Sequence, residues 1–240
     1  MSSVNGGWAA AGLELAYFSG LARLFERRAG GTGVILKFER VRPEQAGRFR
    51  PLRAQEVTPE FLDRVIRALR RWKFDVVSMD EVCRRIREPN VQGRFAALTF
   101  DSGYRDFMTH GYPVLAKHDV PFAIYIPTAF PDRVGEAWWL ALEGVIARHD
   151  RVGLVMNGRE QHFDVANVAA KHDLYDFLAK WMQTLAPAQL SAAINDLCTR
   201  YSVDLAAMSR DAFMTWQDIA KLAADSRTTV GSATVNYTVL

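Results

Sequence analysis

Phe95-Ala96-Ala97-Leu98-Thr99-Phe100-Asp101-Ser102-Gly103-Tyr104 is the stretch that decides the fold. Its first six residues are almost wholly apolar, which suits a strand buried on both faces of a parallel sheet. A helical stretch follows at about 105–118, then a second apolar run, Pro121-Phe122-Ala123-Ile124-Tyr125-Ile126. Upstream, Val34-Ile35-Leu36-Lys37-Phe38 and Phe74-Asp75-Val76-Val77 read as strands. Between them Thr58-Pro59 opens a helix, with Thr58 as N-cap and Pro59 at the first helical position. Phe61, Val65, Ile66, Leu69 and Trp72 give that helix its apolar stripe, and Ser78 caps the next helix, through Val82 and Ile86. Strands and helices alternating over short connections indicate an α/β sheet or barrel. In a barrel, Asp101 stands at the C-terminal end of its strand, where such folds keep their chemistry.

The alternation breaks near Glu136. Residues 137–225 read as a largely helical insertion, with apolar positions at Trp138, Leu142 and Ile146 and then at Leu174, Phe177, Leu178 and Trp181. Asp211 and Thr215 are expected caps there. The aromatics Trp138, Trp139 and Trp181 either pack in the core or stack on sugar rings, and helical spacing favours the core. Strand character returns at Thr228-Thr229-Val230-Gly231-Ser232.

The 240 residues carry 30 Lys and Arg against 27 Asp and Glu, a balance that argues against nucleic acid as a partner. Nine basic residues between Arg42 and Lys73 face four acidic ones, which marks either a groove for an acidic polymer or, in preference, a solvated helix face. Cys83 and Cys198 form no metal or redox motif, read as buried free thiols, and give no sign of an oxidising compartment. In residues 1–30, Leu13, Tyr17, Leu21, Leu24 and Phe25 share one helical face. That face, within 8–28, either docks on the following domain or lies on a membrane surface. The expected location is therefore cytoplasmic, with peripheral membrane contact as the alternative.

Thr99-Phe100-Asp101-Ser102-Gly103-Tyr104 resembles the TFDDGY motif of the polysaccharide deacetylases, carbohydrate esterase family four. Tyr112-Pro113-Val114-Leu115, Val120-Pro121-Phe122 and Ile126-Pro127-Thr128 resemble that family in order and spacing. Trp138-Trp139-Leu140-Ala141-Leu142-Glu143 and Met214-Thr215-Trp216 resemble a bacterial branch with a helical insertion. Val230 to Tyr237 stands where the family has its paired-histidine motif. The resemblance runs from about residue 13 to the end. It implies a partial (β/α) barrel over 31–240 and an N-acetylated oligo- or polysaccharide as partner.

The resemblance also implies a reaction. The family removes N-acetyl groups from amino sugars with a divalent metal, usually zinc, which lowers the pKa of a bound water and polarises the carbonyl. One Asp acts as general base; a second Asp and two His hold the metal. Residue by residue, Asp101 matches the base. Ser102 stands at the ligand Asp, and Ala233 and Tyr237 stand at the two His. An alkyl group cannot ligate, and neutral hydroxyls are poor zinc ligands. Where the branch usually has a His on the first strand, this chain has Glu39. Replacement from His110, His118, His149, His162 and His172 is not expected, since no two have ligand spacing. No metal is therefore expected to bind, and the family activity is expected to be lost or impaired. Lys37, at strand spacing from Glu39, is expected to supply positive charge near Asp101. The residues left for the barrel suffice for roughly four strand–helix units, with no counterparts to the family's later groove Arg and acid His. The open sheet edges invite self-association. A non-catalytic binding remnant and a truncated or altered chain are the alternatives to an enzyme.

Overall fold

The computed structural model describes residues 32–88, 93–101 and 103–236. The amphipathic stretch 1–30 lies outside the described residues, as do Ser102 and Tyr237. A five-stranded parallel sheet organises the chain. It contains β1 (Gly33–Phe38), β4 (Phe74–Val76), β5 (Arg94–Asp101), β6 (Phe122–Ile126) and β9 (Thr228–Ser232). The order is β1-β5-β6-β9, with β4 also paired to β5. Two short strands, β2 (Arg40–Val41) and β3 (Glu56–Val57), pair beside it.

Residues 95–100 of β5 are buried because both faces of the strand are covered there. Ala96, Leu98 and Phe100 pack with Leu62, Ile66 and Leu69 of α1 (Pro59–Arg71) and Leu115 of α3 (Tyr112–His118). On the other face, Phe95 and Ala97 meet Val77 and Val82, the latter on α2 (Met79–Arg87). Burying a Leu or Ile of this kind contributes roughly 1.5–3 kcal/mol. The caps act as expected. Thr58 Oγ1 accepts from the Phe61 N–H at 3.2 Å and Ser78 Oγ from the Glu81 N–H at 3.2 Å, each worth about 1 kcal/mol. The buried stripe of α1 runs Leu62-Ile66-Leu69, while Phe61 and Trp72 are exposed. The helix after β5 opens with a π-helical turn, Phe107–Gly111, that continues into α3.

The insertion is less helical than expected. After α4 (Trp138–Arg148) the chain forms an antiparallel hairpin, β7 (Arg151–Met156) and β8 (Arg159–Asp164). Its turn is Asn157-Gly158, with φ of 51° and 76°. Positive φ at both central residues gives the type I′ turn that matches strand twist. Helices α5 (Val168–Gln183), α6 (Pro187–Arg200), α7 (Leu205–Ala212) and α8 (Trp216–Ala223) follow. Thr215 caps α8, but Asp211 lies inside α7, whose cap is Asp204. Val145, Ile146, Val152, Leu154, Leu178 and Leu197 give the insertion its own core.

The two cysteines part company. Cys198 is buried, but Cys83 is exposed, because only Val82 of α2 turns inward. Four of the nine residues of the basic run pair with carboxylates within the fold. Arg42 and Arg50 pair with Glu56, Arg50 and Arg53 with Glu44, and Arg67 with Asp63. No helix among the described residues is long and apolar enough to cross a membrane.

Candidate functional site

Sheet register builds the site. Asp101 pairs with Tyr125, and Tyr125 with Gly231, so one row crosses three parallel strands at their C-terminal ends. Ser232 ends β9, and Ala233 follows, its N–H donating to the Ile126 carbonyl at 3.0 Å. On the other side, Lys37 pairs with Thr99. Alternation then puts Lys37 and Asp101 on the same face of the sheet. The Lys37 ammonium lies 3.1 Å from Asp101 Oδ2 and 3.5 Å from Glu39 Oε1. The charge expected beside Asp101 is there, and it binds two carboxylates. Next to them, burial raises the Tyr125 phenol above its usual range, with the Asp101 charge adding to the effect. Tyr125 therefore stays protonated at neutral pH.

A cleft of about 810 Å³ opens above these strand ends. Lys37, Glu39, Asp101 and Ala233 form its sheet side. The insertion closes the other side with Trp138 of α4 and with Asp176, Lys180 and Gln183 of α5. The last three were not anticipated as site residues. Their spacing of four and then three residues puts them on one helical face, a signal present in the sequence but indistinguishable there from an ordinary solvated face. The loop before β3 contributes Pro51, Leu52 and Gln55.

Aromatic packing fixes the insertion against the strand ends. Tyr104 stacks on Phe213 at 4.6 Å, Phe213 on Phe130 at 3.7 Å, and Trp139 meets Phe130 edge-on at 5.9 Å. Each such pair is worth about 0.5–1.5 kcal/mol beyond its area. The Trp139 indole N–H donates to the Tyr104 hydroxyl at 2.7 Å. Arg40 lies 4.5 Å from the centre of the Tyr104 ring and pairs with Asp106 at 2.6 Å. Of the three tryptophans read as core or sugar platform, Trp139 is buried and Trp181 packs on the insertion core. Trp138 is half-buried, packs partly on the same core, and lines the cleft together with Trp139.

The groups at the strand ends are a poor donor set for a divalent metal. Asp101 and Glu39 are already joined by an ammonium, and Ala233 offers only a methyl group. Among the described residues no three His, Cys, Asp or Glu side chains gather as a donor set. Four of the five histidines have their contacts elsewhere. His118 bonds Asp63 at 2.8 Å, and His172 Nε2 accepts the Arg50 N–H at 3.3 Å. His149 packs on Tyr201, and His162 sits on the hairpin. The described residues do not fit the metal that the sequence resemblance implies.

Residues 88–238, well over half of the chain, match the family model described as polysaccharide deacetylase. No curated protein matches. Among solved structures the chain is similar to IcaB from Ammonifex degensii, with 22% identity and a TM-score of 0.36 over 42% of this chain and 40% of that one. It is similar to a de-N-acetylase from Aggregatibacter actinomycetemcomitans, with 12% identity and a TM-score of 0.46 over 85% of this chain and 55% of that one. It is also similar to the BpsB deacetylase domain from Bordetella bronchiseptica, with 16% identity and a TM-score of 0.39 over 85% and 55%. The chain thus spans between 40% and 55% of the length of these proteins. On the family match, this chain belongs to the polysaccharide deacetylases.

Proposed function

We propose that the chain binds an N-acetylated saccharide in the cleft without hydrolysing it. The observation that carries this reading is the Lys37–Asp101 ion pair. The carboxylate at the family's general-base position is 3.1 Å from an ammonium. The ammonium occupies the side of that carboxylate where a general base would hold its water. The alkyl side chain of Ala233, at a family ligand position, supports the same reading. Binding needs neither feature. The half-buried indole of Trp138 offers a flat apolar face for a sugar ring. Gln55, Gln183, Asp176 and Lys180 surround it with donors and acceptors for hydroxyl and acetamido groups. An apolar wall with a few polar groups is the usual composition of a small-ligand site.

Two measurements on one preparation test this. Acetate release from an N-acetylated chitin oligomer should stay at the buffer blank, with or without added zinc. The same oligomer should change the tryptophan fluorescence of the parent saturably, and much less in Trp138→Ala. Zinc-dependent turnover by the parent would refute the non-hydrolytic reading. A flat fluorescence titration, with no heat of binding by calorimetry, would refute the binding reading.

A further inference from the structure

We propose that Trp216 is a second saccharide platform, outside the cleft on the same end of the sheet, and that it takes sugar residues of an N-acetylated chain running beyond Trp138. The inference rests on the cleft-binding reading and adds that the ligand is an extended oligomer.

Topology brings Trp216 to that end. It is the first residue of α8, whose Ile219 and Leu222 share a core with Ile124 and Ile126 of β6. After α8 the chain turns and enters β9 beside the start of β6, with Thr228 opposite Phe122. The helix therefore runs against the strands, and its N-terminus lies at their C-terminal ends. Just before it, the Met214 N–H donates to the carbonyl of Gly103, two residues past the end of β5, at 3.0 Å. A chain of hydrogen bonds leads from the cleft to the indole. Thr234 lines the cleft, and its carbonyl accepts the Thr128 N–H at 3.4 Å. The Thr128 carbonyl accepts the Asp132 N–H at 3.2 Å, and Asp132 Oδ1 accepts the Trp216 indole N–H at 2.8 Å.

In the segment Met214-Thr215-Trp216 the first two residues serve the fold: Met214 is buried in the sheet core and Thr215 caps α8. Trp216 is 45% exposed. Two more exposed apolar side chains stand in the adjoining loops, Val134 at 72% and Val235 at 61%. Their backbones meet on Ala129, whose carbonyl accepts the Val134 N–H at 2.9 Å and whose N–H donates to the Val235 carbonyl at 3.0 Å. Exposed apolar groups gathered beside a binding cleft mark a ligand surface. The bond to Asp132 fixes the indole before any ligand arrives, so little rotamer freedom is lost on binding. An indole so held presents flat apolar faces, and the apolar face of a pyranose ring fits them. The Asp132 carboxylate beside the ring can accept a sugar hydroxyl, and its charge disfavours a lipid surface as the occupant.

Calorimetric titration of the full chain with an N-acetylated chitin disaccharide and hexasaccharide tests this. The parent should bind the hexasaccharide more tightly than the disaccharide. Trp216→Ala should lose roughly two- to tenfold in hexasaccharide affinity, the worth of one aromatic contact, and nothing for the disaccharide. Asp132→Ala, which frees the indole, should weaken the hexasaccharide in the same way. If Trp216→Ala destabilises α8, a second pair of variants carries the comparison. Trp216→Phe keeps a ring and Trp216→Leu keeps only apolar bulk, so hexasaccharide affinity should fall less in the first. An unchanged hexasaccharide affinity in Trp216→Ala overturns the proposal, and so does an equal loss for both lengths, which is what a purely structural role would give. Equal affinities in Trp216→Phe and Trp216→Leu overturn the stacking. In all three cases the cleft reading stands if Trp138→Ala still abolishes binding of the disaccharide. Failure of the parent to bind either oligomer refutes the cleft reading and the second platform with it.

Discussion

Glu56→Gln removes the most buried charge found among the ion pairs. The Glu56 side chain is 4% exposed, and its two oxygens serve two arginines, Arg42 and Arg50, the latter at 2.7 Å. Those arginines are 19% and 14% exposed, and the Nε atom of each is buried with no hydrogen-bond partner among the described residues. They therefore have little means of regaining what they lose. Breaking a buried pair by removing one partner costs about 3–5 kcal/mol. Arg50 keeps Glu44, so the lower end applies, about 3 kcal/mol. For a chain of this length that corresponds to a fall in Tm of about 6–12 °C. Thermal unfolding followed by circular dichroism measures it. Replacing the pair as a whole, Glu56→Leu with Arg42→Leu, should recover part of the loss, because no carboxylate then needs a partner. The effect should reach the cleft. Glu56 opens β3 directly after the Pro51–Gln55 wall, so amide exchange in residues 51–55 should quicken in Glu56→Gln. A Tm within about 2 °C of the parent would refute the reasoning. It would mean that the cost of desolvating Glu56 cancels what its pairing returns.

Three further outcomes are expected. Phe213→Ala empties the centre of the ring cluster between insertion and strand ends, where Phe213 is 2% exposed. It should cost about 3–5 kcal/mol in urea unfolding, and a cost below about 1 kcal/mol would show that the two parts are not held together there. Glu143 of α4 has its carboxyl raised by burial, opposed by the nearby Arg42, Arg40 and Arg50 charges. A raised folded-state value means that its contribution is full below the ordinary carboxylate range and is lost as pH rises through the raised value. Glu143→Gln should therefore raise Tm at pH 7 and leave it unchanged at pH 4; an equal rise at both would refute the assignment. Burial pushes the Cys198 thiol up to about 11, whereas Cys83 is exposed. A thiol reagent at pH 8 should label one cysteine in the native chain and two in denaturant, and two rapid native labels would contradict the burial of Cys198.

Much of the fold was determined by sequence alone. The apolar run of β5, the Thr58 and Ser78 caps and the alternation of strand and helix are local signals. They act over a few residues, so periodicity and capping chemistry expose them. The ordered motifs from Thr99 to Tyr237 likewise fixed the family. The β7–β8 hairpin was equally legible at Asn157-Gly158 but was masked by the helical stretches around it. The burial of Glu56 and the exposure of Cys83 were decided only by tertiary packing. So was the assembly of the cleft. Trp138, Asp176, Lys180 and Gln183 face Asp101 because the insertion core and the ring cluster set two elements against each other. Lys37 and Asp101 are 64 positions apart in sequence, and sequence could offer their proximity only as an expectation. The register of β1 on β5 turned it into a 3.1 Å contact. Strand register is a property of the whole sheet, set by which apolar faces must be buried together, and it decided what stands beside the one carboxylate that the family motif had marked.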